Sequence, residues 1–357
     1  MSHQVQINYQ QIAVQCMSIC EVAETQLKAI DDALEKAKEH SKSLLGTRTA
    51  SFERSLLQER EELAGQISAV KQAAEEQKHN NRQSQRGDIL TEARRLQARA
   101  NELASNKLVE FNGLLDMLLS KSISDNYEKL KSGKGGAIVI TDSVQALLDG
   151  ISDEALRQFT YIAYLNDTSL HGEALLEAGK SLMGQTYESR VESEKQKIRA
   201  ELEAARIERG AIDKVMAEGK GTAQEQLFAI RTAASNEIVG EKVRQKSLKI
   251  IMQAIQARGF VVDKKNIKIR RDTNEVILVA LKASGEKAEF RIFLDGKFIY
   301  DFRGYEGQAC QKDIEPFMHD LEEIYGVKVT SQQTIWSNPD KISTMKYQAI
   351  NTNKNKG

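Results

Sequence analysis

The stretch Glu289-Phe-Arg-Ile-Phe-Leu-Asp-Gly-Lys-Phe-Ile-Tyr-Asp-Phe-Arg303 constrains this fold more than any other part of the chain. Apolar and polar residues alternate on both sides of Asp295-Gly296, as they do in strands with one buried face. A type I′ turn needs positive φ at both central residues, and Asp-Gly supplies it, so the stretch reads as a β-hairpin. Gly304, Tyr305, Gly307 and Cys310 come next and lead into an amphipathic helix expected from about Gln308 to Tyr325. Upstream, period two runs through Ile267/Ile269 and Val276/Leu278/Ala280, with turns at Asp272-Thr-Asn274 and Ser284-Gly285. A helix ending at Gly259 precedes these runs, and Val327–Gln332 is expected as a last strand. The sum is a small α+β domain, an antiparallel meander with helices on one side.

Most of what comes before reads as long helix. Two prolines in 357 residues leave few points at which helices must break. From Tyr9 the positions Ala13, Cys16, Cys20, Ala23, Leu27, Ile30, Leu34, Ala37, Ser41 and Leu44 recur at spacings of three and four, a heptad seam. Gly46-Thr47 interrupts it, and Phe52, Leu56, Leu63, Ile67, Val70 and Ala74 resume it. A polar stretch, Glu75–Ser84, is followed by Asp88, a good N-cap, and a second seam through Ile89, Ala93, Leu96, Ala100 and Leu103. It shifts to Leu108, Phe111, Leu115 and Leu118. An antiparallel hairpin over residues 1–130 is the simplest arrangement. Lys131–Gly136 reads as a flexible break, and Ala137–Ile140 as a short strand. Helices are expected through Leu148 with Thr141, Asp142 and Ser143 as candidate caps, from a Ser152-Asp153-Glu154 cap through Leu165, and from about Glu173 through Val215. Gly219-Lys220-Gly221 interrupts, and Thr222 caps the next helix. The predicted fold class is mainly α: coiled-coil-like helices over 1–130, a helical continuation over 131–236, an α+β partner-binding domain over 237–340, and a polar tail over 341–357.

Charge and cysteine usage narrow the function classes. The 51 basic and 51 acidic residues cancel, so attraction to nucleic acid or anionic lipid is not a property of the whole chain. Cys16, Cys20 and Cys310 are too few for a disulfide framework and fit a reducing cytosol. The start has no basic segment leading into an apolar core, and no apolar run approaches the roughly 18 residues that span a bilayer. A cytoplasmic location without membrane contact is expected.

Each candidate site has a plainer reading. Cys310 opens a helix, where a thiolate is stabilised, but free cysteine is usually buried packing. Gly304 and Gly307 suit an anion-binding nest, yet glycine equally serves the turn from strand to helix. Ser132-Gly-Lys-Gly-Gly136 lacks phosphate-loop spacing and a preceding strand, and reads as a linker. Cys16 and Cys20 share a helix face as metal ligands would, but they lie on the seam. The histidines are scattered, so no metal, cofactor or catalytic residue is assigned. Lys242, Arg244, Lys246, Lys249, Arg258, Lys264, Lys265, Lys268, Arg270 and Arg271 form a basic stretch, while Asp301–Glu323 is acidic. The basic stretch is either a nucleic-acid or acidic-protein surface, or a solvated face whose charges partly pair across the sheet.

The segment from about Glu289 to Trp336 resembles a small bacterial domain of unknown function, found as short stand-alone proteins often encoded beside AAA-type ATPases. The resemblance rests on the Glu-Phe-x-Ile start, the Asp295-Gly296 turn, Gly304-x-x-Gly307-x-x-Cys310, and Leu321-Glu322-Glu323 before a strand. It implies an AAA-type ATPase as partner class, in a bacterial defence or stress system, and covers none of the helical part. The expected protein is a non-enzymatic, homo-oligomeric scaffold or adaptor: the coiled coil assembles it and the α+β domain docks a protein. The alternatives are a nucleic-acid-binding module on residues 242–271 and a thiol-dependent enzyme or redox sensor at Cys310.

Overall fold

The computed structural model describes residues 2–10, 12–40, 46–76, 83–133, 140–270, 273–294, 298–305, 310–323 and 328–337. Strand β1 (Ser2–Gln10) is followed by helices α1 (Ile12–His40), α2 (Gly46–Glu76), α3 (Gln83–Ser105), α4 (Lys107–Leu118) and α5 (Lys121–Gly133). Helices α6 (Asp142–Gly150), α7 (Glu154–Asn166), α8 (Gly172–Ala204), α9 (Arg209–Met216) and α10 (Ala223–Gln256) come next. The chain continues through β2 (Val261–Arg270), β3 (Glu275–Leu281), β4 (Lys287–Phe293), β5 (Phe298–Arg303), α11 (Gln311–Glu323) and β6 (Lys328–Ser337). It is mainly α with a smaller α+β part.

Two compact units divide the chain, and neither is continuous in sequence. One comprises residues 19–70 and 92–237; the other comprises 1–18, 71–91 and 238–357.

The helical unit is a bundle built on the seams. Cys20, Ala23, Leu27, Ile30, Leu34 and Ala37 of α1 are all buried, as is Cys16, which belongs to the other unit. So are Ile19, Val22, Gln26 and Ala33, which widens the stripe from a two-stranded seam to the broad face of a bundle helix. Asp31 pairs with Arg60 at 2.6 Å, so α1 and α2 lie side by side. Helices α2 and α3 run antiparallel: Arg99 meets both Glu62 and Gln66, and Lys107 at the start of α4 pairs with Glu59. Phe52 meets Phe111 edge to face at 5.4 Å. Asp153 caps α7 by accepting from the Leu156 amide at 3.0 Å, as its position suggests. The third helical region is not continuous to Val215. It breaks after α8 at Arg206, whose φ of 63° leaves the helical region. Thr222 and Glu225 form a reciprocal capping box at the start of α10. Of the expected strand at 137–140, residues 137–139 lie outside the described residues, and Ile140 is not in a strand.

Among the described residues the other unit carries a six-stranded sheet in the order β2-β3-β4-β5-β1-β6. The meander from β2 to β5 is antiparallel at every step. The Asp295-Gly296 turn lies outside the described residues. Strand β1 was not read from the sequence, where Tyr9 began the helical seam; it pairs antiparallel with β5 and β6, with Val5 opposite Tyr300 and Thr334. Its period-two signal, Val5, Ile7 and Tyr9 between Gln4, Gln6, Asn8 and Gln10, is present but short. Alternate residues Leu278, Ala280, Ala288, Phe290, Ile292, Phe298, Tyr300 and Phe302 form one core with Ile251 and Ile255 of α10 and Ile314, Phe317 and Leu321 of α11. No helix of the described residues is long and apolar enough to cross a membrane.

Candidate functional site

The residues singled out after β5 lie where that strand turns toward α11. Gly304 has φ +87°, and an added Cβ would meet the carbonyl oxygen of Gly285 at 3.2 Å. The glycine is needed twice over, for its φ and for the close approach of the β3–β4 turn. Tyr305 is buried, and its hydroxyl donates to Asp313 Oδ2 at 2.6 Å. Lys282 Nζ meets the same oxygen at 2.6 Å and lies 4.7 Å above the Phe260 ring. The first turn of α11 therefore holds a carboxylate already paired with a cation and a phenol. This is a staple between β3 and α11, and a carboxylate there disfavours a bound anion. Gly307 lies outside the described residues.

Cys310 is 2% exposed, inside the aromatic core. Burial pushes its thiol above the usual range. A reactive thiolate needs the reverse, an exposed thiol whose pKa is lowered, so this environment fits packing. Cys16 and Cys20 are likewise buried.

The basic stretch divides between two environments. On α10, Arg244 is 5% exposed, pairs with Glu241, and donates to the backbone oxygen and Oδ1 of Asn274 at 3.0 and 2.8 Å. Arg258 pairs with Asp320 of α11 and donates to the Pro316 carbonyl at 3.2 Å. These arginines tie a helix to its neighbours. On β2, Lys265 pairs with Asp263 at 2.9 Å and Arg270 with Glu275 at 3.2 Å. Arg271 lies outside the described residues. Of these pairs only Arg270–Glu275 crosses from one strand to the next; the others lie within α10, within β2, or between the end of α10 and α11.

The outer face of the sheet went unnoticed in the sequence. The residues that alternate with the core set are Ile277 and Val279 on β3, Lys287, Glu289 and Arg291 on β4, and Ile299, Asp301 and Arg303 on β5. Their register places Glu289 opposite Asp301, two like charges side by side. Cations answer them: Lys287 and Arg291 flank Glu289 at 3.1 and 3.5 Å, and Arg303 pairs with Asp301. The signal was the polar half of Lys287-Ala-Glu-Phe-Arg-Ile-Phe293, which was read only for its apolar half.

A second candidate lies in the helical unit, in a cavity of about 430 Å³ lined by Glu59, Asn106, Lys107, Glu110 and Asp153 among others. Burial, then the charge of Asp153, pushes Glu110 up to about 7, with Lys107 opposing. A carboxyl near neutrality is competent to exchange protons. The lining carries no serine, cysteine or histidine to act with it. Among the described residues no group of three or more side chains is arranged to hold a metal ion. Compared with known proteins, the chain matches no family model, no curated protein and no solved structure.

Proposed function

We propose that the chain is a non-enzymatic adaptor, in which the helical bundle is a folded support and the C-terminal α+β domain docks a protein partner. The observation that carries this reading is the contrast between the two faces of the sheet. One face is filled by Phe290, Tyr300, Phe302 and Phe317 and seals Cys310 inside. The other presents guanidinium groups and partly exposed aliphatic side chains. Glycine, tyrosine and cysteine around the β5–α11 turn hold that architecture.

Arg244 and Arg258 are committed to ion pairs that tie α10 to its neighbours, which withdraws part of the basic stretch from a nucleic-acid surface and favours a protein partner. The seam residues are buried within a single chain, so the helical unit has a use for them that does not involve a second copy. The AAA-type ATPase implied by the resemblance of residues 289–336 is the first partner to look for.

The test is affinity capture by the tagged full chain from its own cell, with and without nuclease. The expected result is one protein recovered in fixed proportion and unaffected by nuclease. Recovery of nucleic acid alone, or of no reproducible protein, overturns the reading.

A further inference from the structure

We propose that the outer face of the β3–β5 sheet binds an acidic amphipathic helix of the partner protein, an inference that rests on the adaptor reading. The argument begins with depth. Glu275, Glu289 and Asp301 have side chains only 4%, 16% and 12% exposed, whereas their partners Arg270, Arg291 and Arg303 are 51%, 40% and 55% exposed. The carboxylates lie low, near the backbone, and the long cationic side chains reach over them. An approaching molecule meets guanidinium groups first, and the face presents positive charge although its formal charges nearly balance. The complement is a carboxylate-rich surface, which guanidinium groups bind in bidentate fashion.

The second element is apolar. Ile277, Val279 and Leu281 follow one another on the outer side of β3, and Leu281 is paired in register with Val261 of β2. Leu281 is 44% exposed and Val261 68%. Three alternate strand positions span about 13 Å, the rise of roughly nine helical residues. That length accepts the i, i+3, i+7 stripe of an amphipathic helix. The inner face of this same sheet packs helices in that manner, through α10 and α11.

An added strand at the β2 edge is disfavoured. The register jumps between Val262 and Ile267, so residues 263–266 bulge out of the ladder, and Asp263 Oδ1 accepts from the Lys265 amide at 3.1 Å within the bulge. Bulges and lysines are devices that blunt edges. Single-stranded nucleic acid is disfavoured because the outer positions named above include no aromatic side chain for a base to stack on.

The probe is a labelled helical peptide with leucines at i, i+3, i+4 and i+7 and glutamates elsewhere, titrated with the full chain at low salt. A counterpart carries lysines in place of the glutamates. The glutamate peptide is expected to bind and the lysine peptide not. The double variant Arg291→Gln/Arg303→Gln and the single variant Leu281→Ser are each expected to weaken binding about tenfold, in the range of central interface contacts. Unchanged melting curves verify that both variants fold, and Lys312→Gln on α11 is expected to bind as the unsubstituted chain does. Equal binding of the two peptides, or affinity unaltered in both variants, overturns the proposal. So does a dimer seen by light scattering that these variants dissolve, which would make a second copy the occupant. Single-stranded DNA that displaces the peptide and loses affinity in the same variants overturns it in favour of nucleic acid. Repeating the affinity capture with the double variant separates the two readings. A partner captured undiminished removes this face and leaves the adaptor reading standing. No partner captured even by the unsubstituted chain removes the adaptor reading, and this inference with it.

Discussion

The two units of this protein solve the burial problem with different residues. The sheet unit relies on aromatic rings. Phe290, Tyr300, Phe302 and Phe317 are each fully buried, with ring centroids 5.4 to 6.4 Å apart. The helical unit relies mostly on small and aliphatic residues along stripes, with rings such as Phe52, Phe111 and Phe159 among them, and it admits polar groups to its interior. Gln26, Asn101 and Ser235 are buried together, with Gln26 and Ser235 joined at 2.9 Å and Ser235 donating to Asn101 at 2.9 Å. Arg231 and Glu194 are also buried, 3.7 Å apart. In one unit burial is concentrated in a cluster of large rings; in the other it is spread along several helical stripes, which is expected to distribute stability in the same way.

The contrast can be broken by truncation. Phe290→Ala removes a ring at the centre of the sheet core and is expected to cost about 3–5 kcal/mol. Leu34→Ala, on the α1 stripe of the bundle, is expected to cost nearer 2–3 kcal/mol, because it removes a smaller side chain than the ring. Urea titrations of both variants measure the difference. If Leu34→Ala costs as much as Phe290→Ala, stability is not distributed in the way described.

Glu110 gives the next largest effect, and it belongs to the bundle alone. Its folded pKa is about 7, raised above the unfolded carboxyl value by burial and by Asp153. A raised carboxyl leaves stability intact below the unfolded pKa near 4.3, and stability is lost as pH rises through the folded value. The bundle should therefore weaken between about pH 4.5 and 7 by something on the order of 3–4 kcal/mol, then level off. Glu110→Gln has nothing to titrate. Its melting temperature should be higher than that of the unsubstituted chain at pH 8, and the two should converge at pH 4.5. A gap that does not change with pH would show that the carboxyl is not held in that state.

The same contrast explains how much of each unit was legible. The seam from Cys16 to Ala37 and its continuation through Ala74 were read residue by residue and are buried residue by residue, because a helical stripe is a local pattern. The sheet meander was read because Asp272-Thr-Asn274 and Ser284-Gly285 mark its turns. Strand β1 was missed because it pairs with β5 and β6, some 300 residues away in sequence, and nothing local to Ser2–Gln10 declares that partner. The break at Arg206 was missed because it has no glycine or proline to announce it. The outer sheet face was overlooked for another reason. Lys287, Glu289, Arg291, Asp301 and Arg303 look like ordinary surface charges until the register sets the two carboxylates opposite each other.

Helix contacts sharpen the comparison at a finer scale. The bundle depends on close approach where its residues are small. At Gly179 of α8, an added Cβ would lie 2.3 Å from Thr160 Oγ1 and 2.8 Å from the Thr160 Cα of α7. The second atom is backbone, so a side-chain rotation does not relieve the clash, and the helices must separate. Gly179→Ala, which raises helix propensity, should nonetheless destabilise by about 1–3 kcal/mol. Gly65 of α2 meets nothing within 4 Å, and alanine there should stabilise by a few tenths of a kcal/mol to about 1. Thermal melts of the pair test the claim directly, since propensity alone predicts the same sign for both.

Asp153→Asn should have the smallest effect and separates the two duties of that side chain. Asp153 caps α7 through its Oδ1, and asparagine caps about as well as aspartate, so the helix should keep its N-terminal bond. The substitution removes the negative charge that adds to burial in raising Glu110. The Glu110 titration should then move to lower pH while remaining above the ordinary carboxylate range, because burial is the larger cause and is unchanged. The expected gain in stability at pH 8 is under about 1 kcal/mol, smaller than for Glu110→Gln, and in the double variant it should largely vanish. If the two substitutions instead add in full, Asp153 acts on the bundle independently of Glu110. The pH dependence of the helical unit would then have to be traced to another group.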